Sequence, residues 1–115
     1  MLLLFVSCLQ ESMEEKITDR WGVQKMQRNI GGSYKDVVIN PKMSFEFDEK
    51  GGVKIVTHFG QTIKGTWSFS KDIKTILLTA ENETKSFLVD SLKGNKLYIT
   101  SNDVKFQLIR EPKKQ

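Results

Sequence analysis

The sequence is poor in the two side chains on which many catalytic and metal sites depend. Its 115 residues include one cysteine, Cys8, and one histidine, His58. A single cysteine excludes an intramolecular disulfide and a zinc site built from cysteine pairs, so the hydrophobic core alone must stabilise the fold. Without a second histidine or a nearby thiol, His58 is a poor starting point for a metal site or an activated nucleophile. We therefore expect a protein that is not an enzyme and that uses no cofactor or metal.

Dense runs of one charge are also lacking, although 18 lysines and arginines outnumber 14 acids. The lysines are spaced singly along the chain, and the one adjacent pair, Lys113 and Lys114, lies near the C-terminus. Singly spaced lysines usually form a solvated face that also protects exposed strand edges. We expect no nucleic-acid partner, because an OB-type binder would need exposed aromatic rings among clustered basic residues.

An apolar run over residues 2–6 precedes Cys8 and is far too short to span a bilayer as a helix. It is similar to the end of a signal-peptide hydrophobic region, and Ser7 directly before the cysteine resembles a bacterial lipobox. That resemblance implies an acylated Cys8 and a membrane-anchored lipoprotein of the cell envelope, at the outer membrane or on the periplasmic face. Phe5 stands where the lipobox usually has leucine. The alternative is that residues 1–8 belong to the folded domain, with Cys8 an ordinary apolar side chain.

Residues 9–20 are polar and suit a tether or one short helix. Ser12 is followed three residues later by Glu15, which is the spacing of a capping box. In that motif each side chain accepts a hydrogen bond from the backbone N–H of the other residue, so the helical alternative would begin after Ser12.

From Trp21 onward apolar and polar residues alternate, which is the periodicity of a half-buried strand. In residues 62–70 the even positions are lysine, serine or threonine, and the odd positions from 63 are Ile63, Gly65, Trp67 and Phe69. Residues 76–78 are apolar on both faces, so their register is ambiguous. No segment after residue 20 has the helical period, which argues against α/β folds. The same alternation recurs in residues 45–47, 53–58, 86–90, 97–100 and 104–109.

Short connections rich in glycine, asparagine and aspartate join these segments, and loops of about two to five residues make neighbouring strands antiparallel. Between Arg28 and Met43 the pattern is weaker, with a possible strand over residues 34–39. A meander of about eight strands must protect its edges, and closing into a barrel does so. We therefore predict an all-β, antiparallel, up-and-down barrel over residues 21–111. It follows a signal remnant (1–8) and the tether or helix (9–20), and it precedes a basic tail (112–115).

Together these elements resemble the small lipocalin-like domains of bacterial lipoproteins, which are part of the calycin group. The resemblance rests on Trp21 at the start of the first strand, on the motifs at residues 45–47 and 65–68, and on Arg110 in the last strand. In lipocalins the first-strand tryptophan typically closes one end of the barrel beneath an arginine of the last strand. The resemblance thus implies barrel-closing roles for Trp21 and Arg110. The fuller lipocalin signature has glycine two residues before the tryptophan, and here that residue is Asp19.

The interior of such a barrel suggests two functions. The first is a lipocalin-like, non-catalytic binding module for a small hydrophobic ligand, and the second is a structural or interaction lipoprotein of the cell envelope with a filled barrel. Small barrels are usually packed solid and this chain lacks long loops, which favours the filled interior. A cavity of about 300 Å³ or more would instead favour a ligand. The residues expected to line it are Phe45, Phe47, Ile55, Ile63, Phe87 and Phe106.

Acylation of Cys8 can be tested on protein extracted from its native membrane. Mass spectrometry should find a mature N-terminus at Cys8 that carries at least two acyl chains, because a single chain binds membranes only marginally. An intact Met1 together with a free thiol at Cys8 would rule out the lipid anchor.

Overall fold

The structure is a computed structural model, which describes residues 12–39, 42–57 and 59–111. Cys8, His58 and the basic tail lie outside the described residues. Within those ranges one short helix, α1 (Met13–Ile17), is followed by nine strands: β1 (Arg20–Ile30), β2 (Ser33–Asp36), β3 (Ser44–Phe47), β4 (Gly52–Val56), β5 (Thr62–Ser70), β6 (Thr75–Ala80), β7 (Glu83–Lys93), β8 (Lys96–Ser101) and β9 (Val104–Arg110).

Helix α1 begins where the sequence predicts it. Ser12 Oγ accepts a hydrogen bond from the Glu15 N–H at 3.1 Å, and Glu15 Oε1 accepts one from the Ser12 N–H at 3.0 Å. These two bonds confirm the capping box. Ile17, at the end of the helix, is fully buried. Because isolated helices of this length are unstable in water, packing on the barrel must stabilise α1.

Side chains alternate between the interior and solvent, as the sequence predicts. In β3 the exposed Glu46 lies between two buried phenylalanines, and in β5 the buried Trp67 lies between exposed Thr66 and Ser68. The ambiguous stretch in β6 resolves with Leu78 inside. The buried apolar side chains form a single core: Ile17, Trp21, Val23, Met26, Met43, Phe45, Phe47, Val53, Trp67, Ile76, Leu78, Phe87, Val89, Leu97, Ile99, Phe106 and Leu108.

The sheet closes into a barrel where β1 meets β9. These strands pair antiparallel from Trp21 opposite Arg110 to Arg28 opposite Val104. From β3 to β9 each strand pairs antiparallel with the next, and β3 pairs with β1. Strands β1 and β3–β9 thus form a closed ring of eight, which confirms the predicted all-β, up-and-down barrel.

Strand β2 is an addition to this ring. The sequence suggests a strand over residues 34–39, whereas the strand observed is Ser33–Asp36. It pairs with the C-terminal part of β1, because β1 has 11 residues and β3 has only 4. The N–H of Val37 continues this edge with a 2.8 Å bond to Met26 O. The pairing therefore satisfies backbone groups of β1 that β3 does not reach.

Gly65 lies in β5 at a point where the backbone of β6 approaches closely. A Cβ atom at this position would lie 2.2 Å from the backbone oxygen of Thr79 and 2.9 Å from Ala80 Cβ. Gly65 pairs with Val53 of β4, and the pairing with β6 begins at the next residue, Thr66. Glycine inside a strand often marks a site where another backbone approaches closely. The glycine that begins the motif at residues 65–68 is thus required by backbone packing.

The variant Gly65→Ala should destabilise the barrel, because the backbone of β6 must move to admit the added methyl group. We expect the free energy of unfolding to fall by about 1–3 kcal/mol, as in other overpacked cores. Urea denaturation followed by tryptophan fluorescence measures this loss. Thr66→Ala, at the adjacent exposed position, is the control and should change the value by less than about 1 kcal/mol. Equal losses in the two variants would contradict the packing explanation.

Candidate functional site

One end of the barrel is closed by large side chains. Helix α1 lies here, and Trp21 Nε1 donates a 2.9 Å hydrogen bond to the carbonyl oxygen of Ile17. Nearby, the rings of Phe47 and Trp67 are 5.0 Å apart, and Trp67 Nε1 donates a 2.9 Å hydrogen bond to Asp48 O. Each indole thus buries its ring and still places its N–H on a backbone acceptor.

Arg110 covers the ring of Trp21 at this closed end. Its guanidinium carbon lies 4.4 Å from the ring centroid. Nη1 of the same guanidinium donates a 2.8 Å hydrogen bond to Asp19 Oδ2. The aspartate that replaces the lipocalin glycine therefore holds the arginine over the tryptophan. The backbone oxygen of Asp19 also accepts a 2.9 Å bond from the N–H of Phe47, which ties the start of β1 to β3.

The opposite end of the barrel is open. A cavity of about 370 Å³ extends inward from it, which lies within the usual size range of small-molecule pockets. Its mouth is formed by the β4–β5, β6–β7 and β8–β9 connections, which contribute Thr57, Glu81 and Asn102. The interior is therefore not packed solid, in contrast to the filled barrel that the short chain favours.

The inner wall of this cavity is aromatic and aliphatic. Phe45, Phe87 and Phe106 contact one another with ring centroids 5.6–6.1 Å apart, in edge-to-face or tilted geometry. The rest of the apolar wall consists of Met26, Met43, Ile55, Ile63, Leu78, Ala80 and Val104, with Phe59 exposed at the mouth. The polar and charged lining residues are Arg28, Thr57, Glu81, Glu83, Lys85, Ser101 and Asn102. An apolar wall with a few polar groups is typical of small-molecule sites.

The structure brings together five of the six side chains that the sequence suggests as a ligand-binding wall. These are Phe45, Ile55, Ile63, Phe87 and Phe106. Phe47 lies outside the cavity wall, because its ring stacks on Phe45 at 6.1 Å and contacts Trp67 in the closed end.

The sequence reasoning missed five further apolar residues of the inner wall: Met26, Met43, Leu78, Ala80 and Val104. Leu78 belongs to the stretch that is apolar on both faces, and its pairing with Trp67 in β5 decides that it points inward. Met26 lies just beyond the register shift in β1, where simple alternation fails. Met43 precedes β3, in the region where the strand pattern is weak. Because the register shift moves the inward-facing positions of β1 from odd to even numbers, alternation counted from Trp21 does not reach Met26.

Across residues 12–39, 42–57 and 59–111, no group of three or more histidine, cysteine, aspartate or glutamate side chains is placed to hold a metal ion. In the same part of the chain, no helix has both the length and the apolar character needed to cross a membrane.

A barrel with one end closed beneath a short helix and an apolar cavity at the other end is a lipocalin-like fold. A lipocalin-like protein from Bacteroides uniformis ATCC 8492 matches it with a TM-score of 0.63 and 14% identity, over 83% of this chain and 98% of that chain. An uncharacterized protein from Bacteroides eggerthii DSM 20697 matches with a TM-score of 0.62 and 12% identity, over 82% and 98%. At these identities the likeness is one of fold. No protein-family model matches the sequence, and no curated protein matches it.

Replacing Arg110 should measure what its contacts at the closed end contribute. Arg110→Met keeps an aliphatic side chain but loses both the contact with Trp21 and the ion pair with Asp19, so we expect a loss of about 1–3 kcal/mol in unfolding free energy. Chemical denaturation of both proteins gives the difference.

Arg20→Met is the matched control for this experiment. The pair between Arg20 and Glu111 has the same 2.8 Å distance, but the arginine is 55% exposed, against 26% for Arg110. An exposed pair of this kind contributes at most about 1 kcal/mol. If Arg20→Met cost as much as Arg110→Met, the cover over Trp21 would have no special stabilising role.

Proposed function

We propose that this protein is a non-catalytic binding module that holds a small hydrophobic molecule in the open end of its barrel. The observation that carries the proposal is the apolar cavity of about 370 Å³. A ligand that fills it would remove apolar surface from water on both partners, at about 25 cal/mol per Å². The three contacting phenylalanines, Phe45, Phe87 and Phe106, would present their rings to such a ligand.

Binding rather than catalysis is supported by the chemistry of the wall. Among the described residues, its inner part consists of phenylalanine, methionine and aliphatic side chains, which neither transfer protons nor attack a substrate. The charged groups at the mouth are of both signs, with Arg28 and Lys85 against Glu81 and Glu83. This balance favours a neutral or weakly polar ligand and gives no support to a nucleic-acid partner.

The proposal also includes a lipid anchor on Cys8 and a place in the cell envelope. Ser12 caps α1 at the closed end, and the four residue steps from Cys8 to Ser12 span at most about 14 Å of extended chain. β1 has 11 residues, which is about 36 Å of strand. A lipid on Cys8 would therefore keep the closed end near the bilayer and direct the cavity mouth away from it. The ligand would then enter from the aqueous side.

Binding of the neutral fluorescent probe N-phenyl-1-naphthylamine tests the barrel site. The full chain should bind it saturably, with one molecule per chain and a rise in fluorescence on entering apolar surroundings. Ile63→Trp fills part of the cavity and should weaken binding about tenfold, equivalent to about 1.4 kcal/mol.

The matched control is Thr62→Trp, which adds the same side chain at the adjacent exposed position of β5. It should bind the probe as the unaltered protein does. A lack of saturable binding, or equal weakening by both variants, would overturn the ligand site and favour the structural or interaction role.

A further inference from the structure

Two polar side chains are buried among the described residues, and both carry a hydroxyl group. They are Thr75 in β6, which is 6% exposed, and Ser101 at the end of β8, which is 9% exposed. A hydroxyl that is removed from water costs free energy unless it forms a hydrogen bond. The two residues differ in whether the fold supplies that bond.

The hydroxyl of Thr75 has a partner within its own turn. Its Oγ1 donates a 2.7 Å hydrogen bond to the carbonyl oxygen of Ile73, just before β6. The side chain of Ser101, in contrast, forms no hydrogen bond with any residue that the structure describes. Both its donor and its acceptor positions are therefore available to another molecule.

Strand pairing turns Ser101 toward the barrel cavity. Two residues earlier in β8, Ile99 pairs with Phe106 of β9, and both side chains belong to the core. Residues two apart in a strand point to the same face, so Ser101 and its partner Val104 also face inward. Both line the cavity, and Asn102 follows at its mouth. The hydroxyl thus lies between the phenylalanine cluster and the opening.

The other polar groups of the lining are already bonded or solvated. Thr57 Oγ1 accepts hydrogen bonds from the N–H groups of Phe59 and Gln61, at 3.3 and 3.2 Å. The remaining polar lining residues are exposed at the mouth: Arg28, Glu81, Glu83, Lys85 and Asn102. Within the described part of the lining, Ser101 is therefore the one buried polar side chain that lacks a protein partner.

A hydroxyl in this position discriminates between apolar ligands. Water in an open cavity can bond to it, and a pure hydrocarbon would displace that water and leave the hydroxyl unpaired, which opposes binding. A ligand with one oxygen at this point would replace the lost bond. Sites that bond to a ligand hydroxyl reject analogues without one for this reason. An ionised group fits less well, because a single hydroxyl does not compensate for taking a charge out of water.

We propose that the barrel ligand is a mainly apolar molecule with a single uncharged oxygen, which hydrogen-bonds to the hydroxyl of Ser101. Its apolar part would lie inward against Phe45, Phe87 and Phe106, and its oxygen would lie toward the mouth. This inference rests on the proposed barrel site, to which it adds the polar group of the ligand and the residue that selects it.

Two ligands of nearly equal shape test the role of Ser101. 2-Naphthol carries a hydroxyl group where 2-methylnaphthalene has a methyl group. Their dissociation constants for the full chain are measured by competition with N-phenyl-1-naphthylamine. In Ser101→Ala, 2-naphthol should bind more weakly because a hydrogen bond is lost, and 2-methylnaphthalene should bind at least as tightly because no hydroxyl is left unpaired. The ratio of the two constants should therefore shift by about tenfold.

Thr75→Ala is the matched control, because it removes a similarly buried hydroxyl that lies outside the cavity lining. It should leave the ratio unchanged. The same variants also give a readout without any ligand. The urea midpoint of unfolding should fall more in Thr75→Ala, which loses the bond to Ile73, than in Ser101→Ala, which loses none.

2-Naphthoate, which carries a carboxylate on the same rings, should bind more weakly than 2-naphthol. An unchanged ratio in Ser101→Ala, an equal shift of the ratio in Thr75→Ala, or tighter binding of 2-naphthoate would each overturn this inference. N-phenyl-1-naphthylamine would still bind in those cases, so the proposed function would stand. If none of the four compounds bound, the proposed function and this inference would both be overturned.

Discussion

The hydrogen-bonded seam between β1 and β9 is the constraint on which the other features depend. It joins the two edges of the meander, so that the ring of eight strands has an inside and an outside along its whole circumference. At the closed end of the barrel, Arg110 lies over Trp21 and pairs with Asp19, which is 91 positions away in the sequence. Closing so long a loop carries an entropy cost. The paired strands and the buried tryptophan beneath the arginine offset that cost.

Once the ring is closed, its two ends differ because large side chains are distributed unevenly along it. Trp21, Phe47 and Trp67 are concentrated at the end that α1 also covers, where Ile17 of the helix is fully buried. Near the open end, three phenylalanines contact each other but do not fill the space between the β4–β5, β6–β7 and β8–β9 connections. This uneven distribution of side-chain volume explains both why there is a cavity and why it opens at the end of the barrel away from α1.

The wall formed by β7, β8, β9 and β1 has a concavity on each side, and Phe106 borders both. On the inside the lining is apolar, and on the outside it is polar, because strand side chains point alternately to the two faces. The register shifts in β1 and β7 leave this division intact. The same sheet region therefore presents different chemistry on its two faces, one strand layer apart.

Local sequence determined the strand faces, the capping box at Ser12 and the class of the barrel, because side-chain direction in a strand has a period of two whatever strand lies beside it. It also identified most of the aromatic cavity wall. Tertiary structure alone decided that Phe47 belongs to the closed end, that β2 extends beside β1, and that the pairing register shifts within β1 and β7. Each of these depends on register between strands, and the cavity depends on how side chains from distant segments fill a common volume after closure. Such quantities are properties of the assembled barrel, and no single stretch of the chain contains them.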